Sequence, residues 1–157
     1  MKKLFLMLFS VAIFVACGKK ESAEGEFSMP SKEESSAVDA SSYDPNRGEG
    51  KFDKVELAAT LDHAMAKKGQ EVSGVKCTSC HKMSDEKLVG PGWKGVTERR
   101  TPEWLMNFVT NPDPMIDKDP ELQAQLEICL VRMPNQGVSD DEARSILEYM
   151  RQNDGVK

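Results

Sequence analysis

The chain contains few of the residues that commonly define a binding or catalytic class. Of its 157 residues, 6% are aromatic, two are histidine and four are cysteine. The 21 basic residues are outnumbered by 26 acidic ones, which gives a net charge of −5. No basic cluster forms the electrostatic footprint that nucleic-acid binding requires. We therefore expect no nucleic-acid partner.

Long apolar runs are also scarce. The segment from Leu4 to Ala16 is apolar except for Ser10, and Met1-Lys2-Lys3 places positive charge before it. This run is shorter than the roughly 20 residues that a membrane-spanning helix needs. A short apolar run after a positive start is typical of a secretory signal peptide. Residues 1–16 are therefore predicted to be one.

The residues that follow resemble a bacterial lipoprotein processing site. Small residues precede Cys17 in Val15-Ala16-Cys17-Gly18. In lipoproteins such a cysteine becomes the lipid-modified N-terminus, which implies lipidation of Cys17 and a periplasm-facing anchor in the bacterial cell envelope. The outer membrane and the outer face of the inner membrane both stay open, with Gly18 favouring the former. An ordinary cleavage site with a chance cysteine is the alternative.

Composition divides the remaining chain into a linker and a domain. Residues 18–50 are rich in Ser, Glu, Gly, Asp and Pro and poor in large apolar side chains. Such a segment buries too little apolar surface to offset the entropy of ordering it. We assign residues 17–50 to a lipidated N-terminus with a flexible acidic, Ser-rich linker, and residues 51–157 to one folded domain.

The domain is predicted to be all-α. Apolar residues at helical spacing begin after about Lys51 and predict a first helix that runs to Cys77: Leu57, Leu61, Met65, Val72 and Val75. Thr101-Pro102 and Asp119-Pro120 are typical helix starts, and Asn111-Pro112-Asp113-Pro114 predicts a helix end before a loop. Ser139 with Glu142 forms a capping box for a last helix that Gly155 ends. No alternating strand pattern is evident.

One pentapeptide carries a definite chemistry. Cys77-Thr78-Ser79-Cys80-His81 is a C-x-x-C-H sequence, the attachment signature of c-type haem. Two thiols one helical turn apart can add to the two vinyl groups of one porphyrin, and the histidine then reaches the iron as its proximal ligand. A zinc ribbon would need a second cysteine or histidine pair, and a thioredoxin-like site a βαβ context. Neither pattern is present.

The residues leave alternatives open for the sixth ligand of the iron and for the fourth cysteine. His63 lies on the predicted first helix, too near His81 in sequence to reach the opposite face of a haem easily. Among the methionines, Met115 and Met133 are predicted in loops, and turn residues after Met133 favour it. Cys129 lies in an apolar run that favours a buried thiol, although a reactive thiol stays open.

These residues together resemble monohaem class I cytochromes c. The resemblance rests on Gly69, the pentapeptide 77–81, Val89-Gly90-Pro91-Gly92-Trp93-Lys94-Gly95-Val96 and Met133-Pro134. It implies a bundle of about four to five short helices around one covalent haem, preceded by a disordered linker. It also implies that the Pro91 carbonyl accepts a hydrogen bond from His81, and that Gly69 allows a close crossing of the first and last helices beside Tyr149.

A second run is similar to small bacterial cytochrome c domains of respiratory chains. It comprises Arg100-Thr101-Pro102-Glu103-Trp104, Asn111-Pro112 and Met133-Pro134-Asn135-Gln136. Arg99, Arg100 and Trp104 are candidates for bonds to haem propionates, a solvated basic pair being the alternative for the arginines. The resemblance implies a monomeric, membrane-tethered electron carrier with respiratory redox partners, and no enzyme. A ligand-binding sensor or peroxidase-like enzyme with a labile sixth ligand is the alternative.

Overall fold

The computed structural model describes residues 43–157. The predicted signal peptide, Cys17 and the linker up to residue 42 lie outside the described residues. The described part is helical, with one isolated β-bridge between His81 and Lys87. No helix among residues 43–157 is long and apolar enough to cross a membrane.

Six helices make up this part of the chain. Their bounds are α1 His63–Lys76, α2 Val96–Arg99, α3 Pro102–Thr110, α4 Pro112–Lys118, α5 Pro120–Cys129 and α6 Asp140–Asn153. The all-α prediction is confirmed. The number exceeds the four to five expected because α2 and α4 are short helices that the sequence pattern did not reveal.

Three helices begin where their capping residues predict. The hydroxyl of Thr101 accepts from Trp104 N–H, and the carboxylate of Asp119 accepts from Glu121 and Leu122 N–H. Ser139 and Glu142 form the reciprocal capping box at the start of α6. These side chains satisfy backbone donors that have no partner inside the helix.

The first helix begins later than its apolar spacing predicts. Asp62 is its N-cap and accepts from Met65 N–H, so Leu57 lies outside the helix. Val75 was expected on the buried face but is 84% exposed. The prediction was wrong here because apolar residues before Asp62 pack from an extended segment, not from a helix.

The segment around Pro112 and Pro114 is helical where the sequence predicts a loop. Asn111-Pro112-Asp113-Pro114 ends α3 as expected, but Pro112 then occupies the first turn of α4, where its missing N–H costs nothing. Met115, expected in a loop, therefore lies on α4 and is fully buried.

The first and last helices cross at Gly69. A Cβ atom at this position would lie 1.9 Å from the backbone oxygen of Ser145 and 2.9 Å from Tyr149 Cβ. Only glycine leaves room for this approach. The structure thus has the close crossing that the resemblance implies, and α1 is fixed against α6 directly before residues 77–81.

Residues 43–57 pack against α3 and the start of α5. Asn107, fully buried, bonds both backbone groups of Phe52 and the carbonyl of Arg47. The Tyr43 hydroxyl donates to Asp119 across 2.7 Å. Residues 43–50, which the composition placed in the linker, thus belong to the packed region.

Candidate functional site

The C-x-x-C-H pentapeptide forms one helical turn directly after α1. Both Cys80 N–H and His81 N–H donate to the Cys77 carbonyl, each over 3.0 Å. The thiols of Cys77 and Cys80 are free rather than joined in a disulfide. Burial raises the pKa of the Cys77 thiol, which keeps it protonated at neutral pH. Two unpaired thiols are thus presented one turn apart.

The imidazole of His81 has a fixed orientation. Its Nδ1 lies 2.8 Å from the carbonyl oxygen of Pro91. Because a carbonyl only accepts, Nδ1 carries the proton and Nε2 keeps its lone pair for a metal. Burial lowers the pKa of His81, although the bond to Pro91 opposes this. The neutral, ligating form of the ring is therefore favoured.

A glycine and a tryptophan hold the ring from other sides. A Cβ atom on Gly90 would lie 2.4 Å from His81 Cε1, so the loop backbone packs directly against the imidazole. The Gly90 N–H donates to Cys80 O over 2.9 Å, which closes the loop over the pentapeptide. The Trp93 ring lies 5.6 Å from the His81 ring, measured between centroids. The orientation of the His81 ring therefore depends on Gly90 and Trp93, which follow the pentapeptide in the sequence.

His81 and both thiols line one large cavity. The cavity and its open mouth together enclose about 980 Å³. Residues from Phe108 onwards also line it, and most of the lining side chains are apolar. That lining comprises Val89, Pro91, Trp93, Phe108, Val109, Ile116, Leu122, Leu126, Val131, Met133, Pro134, Val138 and Ile146, with Lys76, Gln125, Cys129, Arg132 and Gln136 among its polar members.

The structure separates the two methionine candidates. Met133 lines the cavity. Met115 does not line it: it belongs to the buried core, and a Cβ on Gly48 would lie 2.3 Å from its Cε atom. His63, the other alternative, lies exposed at the first position of α1.

Helix α5 supplies part of the cavity lining. Leu122, Gln125, Leu126 and Cys129 line the cavity at helical spacing. Cys129, expected to be buried, is only partly so and faces the cavity. Trp93, Phe108 and Gln136 were also missed as lining residues, because their spacing carries no local signal for a cavity.

The residues considered for propionate binding lie elsewhere. Arg99 donates to Lys94 O over 2.7 Å, and Arg100 pairs with Glu121 while its guanidinium lies 4.2 Å from the centre of the Trp104 ring. The Trp104 indole N–H donates to Asp119. None of the three lines the cavity.

Two free thiols, an oriented imidazole and an apolar cavity define a site for a covalently attached porphyrin. A family model described as cytochrome c matches residues 66–154. The chain therefore belongs to the cytochrome c family, a family of haem electron carriers, and carries covalently bound haem c with its iron.

Solved structures that are similar to this chain are also cytochromes c. A cytochrome c from Rhodothermus marinus is 35% identical with a TM-score of 0.64, covering 67% of this chain and 90% of that one. Two engineered forms of the Rhodothermus marinus protein, one bound to a carbene intermediate, are each 34% identical over the same shares, with TM-scores of 0.64 and 0.61. No curated protein matches.

Proposed function

We propose that this protein carries single electrons between redox proteins of a bacterial respiratory chain, facing the periplasm from a lipid anchor at Cys17. The haem would be held by thioether bonds to Cys77 and Cys80, and His81 and Met133 would be the protein ligands of its iron. The observation that carries this proposal is one cavity lined by both thiols and His81 together with Met133. When bound, the haem supplies a one-electron iron couple.

The chain's own residues fix the conditions for that couple. Pro91 and Gly90 hold the His81 ring in one orientation, which would keep its ligating nitrogen in place when the iron changes oxidation state. The apolar lining excludes water and lowers the local dielectric. A thioether ligand favours the reduced iron and raises the potential relative to a second histidine. These features suit a carrier that changes little on reduction.

The assignment of Met133 is tested by its replacement with histidine. Met133→His should keep a reversible one-electron couple but lower its potential by more than about 0.1 V, because a second imidazole replaces the thioether. The measurement is a potentiometric titration of the holoprotein followed by visible absorption. Met115→Leu is the matched control, a volume-conserving change in the core.

Two results would contradict the assignment. One is an unchanged potential in Met133→His, and the other is a shift of the same size in Met115→Leu. If the wild-type protein shows no reversible one-electron couple, the carrier function itself fails. The sensor or peroxidase-like alternative would then be preferred.

The anchor rests on the sequence at Cys17. The Ser- and Glu-rich segment between Cys17 and Tyr43 would tether the domain and raise its effective concentration near membrane partners. Replacing Cys17 with alanine should move the holoprotein from the membrane fraction to the soluble periplasmic fraction. Retention in the membrane would exclude lipidation of Cys17 as the anchor.

A further inference from the structure

The C-terminal end of α6 holds a loop that orients His81. We name residues 82–97 the His81 loop, because they follow the pentapeptide and include Pro91, whose carbonyl oxygen lies 2.8 Å from His81 Nδ1. Pro91 itself is exposed and has no N–H to donate. The position of its carbonyl therefore depends on how the rest of the loop is held.

The two arms of the His81 loop contact each other on either side of its turn. Trp93 N–H donates to Lys82 O over 2.9 Å. A Cβ atom on Gly92 would lie 2.2 Å from Ser84 O, so the backbones of the two arms pack directly together. A constraint on either arm therefore also acts on Pro91, which lies between them in the sequence.

Asp154 binds the second arm through three hydrogen bonds. One carboxylate oxygen accepts from Gly95 N–H at 2.6 Å, and the other accepts from Thr97 N–H at 2.9 Å and from the Thr97 hydroxyl at 2.7 Å. Gly95 is the N-cap residue of α2 and has no side chain that could bond the first N–H groups of that helix. Asp154 thus supplies the missing cap from 57 positions away in the sequence.

The residue before Asp154 binds the first arm. Asn153 Nδ2 donates to Met83 O over 3.0 Å. Asn153 is the last residue of α6 and Asp154 is its C-cap, so one helix end holds both arms of the loop. The same helix crosses α1 at Gly69, and α1 leads directly to Cys77. Helix α6 therefore fixes both the pentapeptide and the loop that orients its histidine.

We propose that Asp154 is a positioning residue for the iron ligand: by holding the His81 loop, it keeps the Pro91 carbonyl within hydrogen-bond distance of His81 Nδ1. This inference rests on the proposed role of His81 as a ligand of the haem iron. A hydrogen bond at Nδ1 raises the basicity of the ligating nitrogen. A longer bond makes the imidazole a weaker electron donor to the iron, which favours the reduced state. Asp154 therefore acts on the potential without touching the haem.

Asp154→Asn tests the proposal while it keeps the shape of the side chain. An amide has only one acceptor oxygen, so its NH2 group must face the N–H of either Gly95 or Thr97, and at least one bond to the loop is lost. Solvent exchange of the His81 Nδ1 proton requires opening of the bond to Pro91, and NMR of the dithionite-reduced holoprotein measures its rate. The rate should rise about ten-fold, as expected for the loss of one hydrogen bond. The midpoint potential, measured by potentiometric titration, should rise as well.

Asp62→Ala is the matched control. Asp62 also accepts a backbone N–H at the start of a helix, from Met65 over 2.9 Å, but it bonds no residue of the His81 loop. The control removes a cap of the same kind, so it should destabilise the fold while the exchange rate stays within about two-fold of wild type. Thr97→Val is a milder second variant that removes only the hydroxyl bond to Asp154. It should raise the exchange rate in the same direction, but by less than Asp154→Asn.

Equal exchange rates in Asp154→Asn and Asp62→Ala would overturn the proposal, because Asp154 would then only stabilise the fold. So would a potential in Asp154→Asn that is unchanged or lower than in the wild type. If Asp154→Asn does not fold, Thr97→Val decides, and a rate no higher than that of Asp62→Ala overturns the proposal. Failure of the proposed function is recognised separately, as the absence of a reversible one-electron couple in the wild-type holoprotein.

Discussion

Replacement of Asp119 is the most informative test of what stabilises the domain. Its carboxylate is 1% exposed and caps α5, accepting from Glu121 N–H at 2.8 Å. Its other oxygen accepts from the Tyr43 hydroxyl at 2.7 Å and from the Trp104 indole N–H at 3.2 Å. One side chain therefore joins the N-terminal segment, α3 and the helix that forms the wall of the cavity.

The expected loss of unfolding free energy follows from the hydrogen-bond donors that Asp119→Ala leaves without a partner. Loss of an N-cap costs about 1 kcal/mol. The buried Trp104 N–H, left unsatisfied, costs roughly 1–3 kcal/mol. The half-buried Tyr43 hydroxyl can turn to water, so its loss adds only about 1 kcal/mol. We expect a total of about 3–5 kcal/mol, with Tyr43→Phe costing about 1 kcal/mol.

Urea unfolding of the holoprotein, followed by far-UV circular dichroism, measures these changes. Asp117→Ala is the matched control: Asp117 lies at the end of α4, and its exposed ion pair with Arg132 contributes at most about 1 kcal/mol. The reasoning fails if Asp119→Ala costs no more than Asp117→Ala. It also fails if the double variant with Tyr43→Phe shows fully additive losses, since both changes remove the same bond.

Two further predictions concern α6. Gly69→Ala should destabilise the fold by roughly 1–3 kcal/mol, because the new Cβ meets the backbone of Ser145 and the helices must separate; unchanged thermal unfolding would contradict the close crossing. Burial raises the pKa of Glu148, but hydrogen bonds from Asp62 N–H, Arg144 and Arg151 outweigh it, and the net pKa lies below its usual 4.5. The stability that these hydrogen bonds contribute is fully present above about pH 5 and is lost as pH falls through the lowered pKa. Glu148→Gln should therefore lack this loss of unfolding free energy at acid pH, as measured by urea unfolding. An unfolding free energy that changes with pH as steeply in the variant as in the wild type would refute this.

Local chemistry explains why several features could be predicted from the sequence. Thr101, Asp119 and Ser139 act on backbone groups within three residues, so their capping is visible in a short window. The C-x-x-C-H turn is equally local. The contact of His81 with Pro91 spans ten residues. Only the resemblance to a family predicted this contact.

Longer-range packing could not be predicted in this way. The bond from Tyr43 to Asp119 joins residues 76 positions apart, and the contact of Phe52 with Asn107 spans 55. Nothing near Tyr43 in the sequence distinguishes it from the preceding linker. Apolar spacing along α5 likewise shows that one side is covered, but not whether a core or a cavity covers it; Cys129 was misplaced for this reason.

The most direct test of the central claim is the visible spectrum of the dithionite-reduced holoprotein before and after carbon monoxide is added. A cavity that supplies both His81 and Met133 as ligands predicts a low-spin c-type spectrum that carbon monoxide leaves unchanged, and Met133→Ala should make the protein responsive. A carbon monoxide shift in the wild-type protein would contradict the account, because it would show that the sixth position is open or held by a ligand that leaves easily.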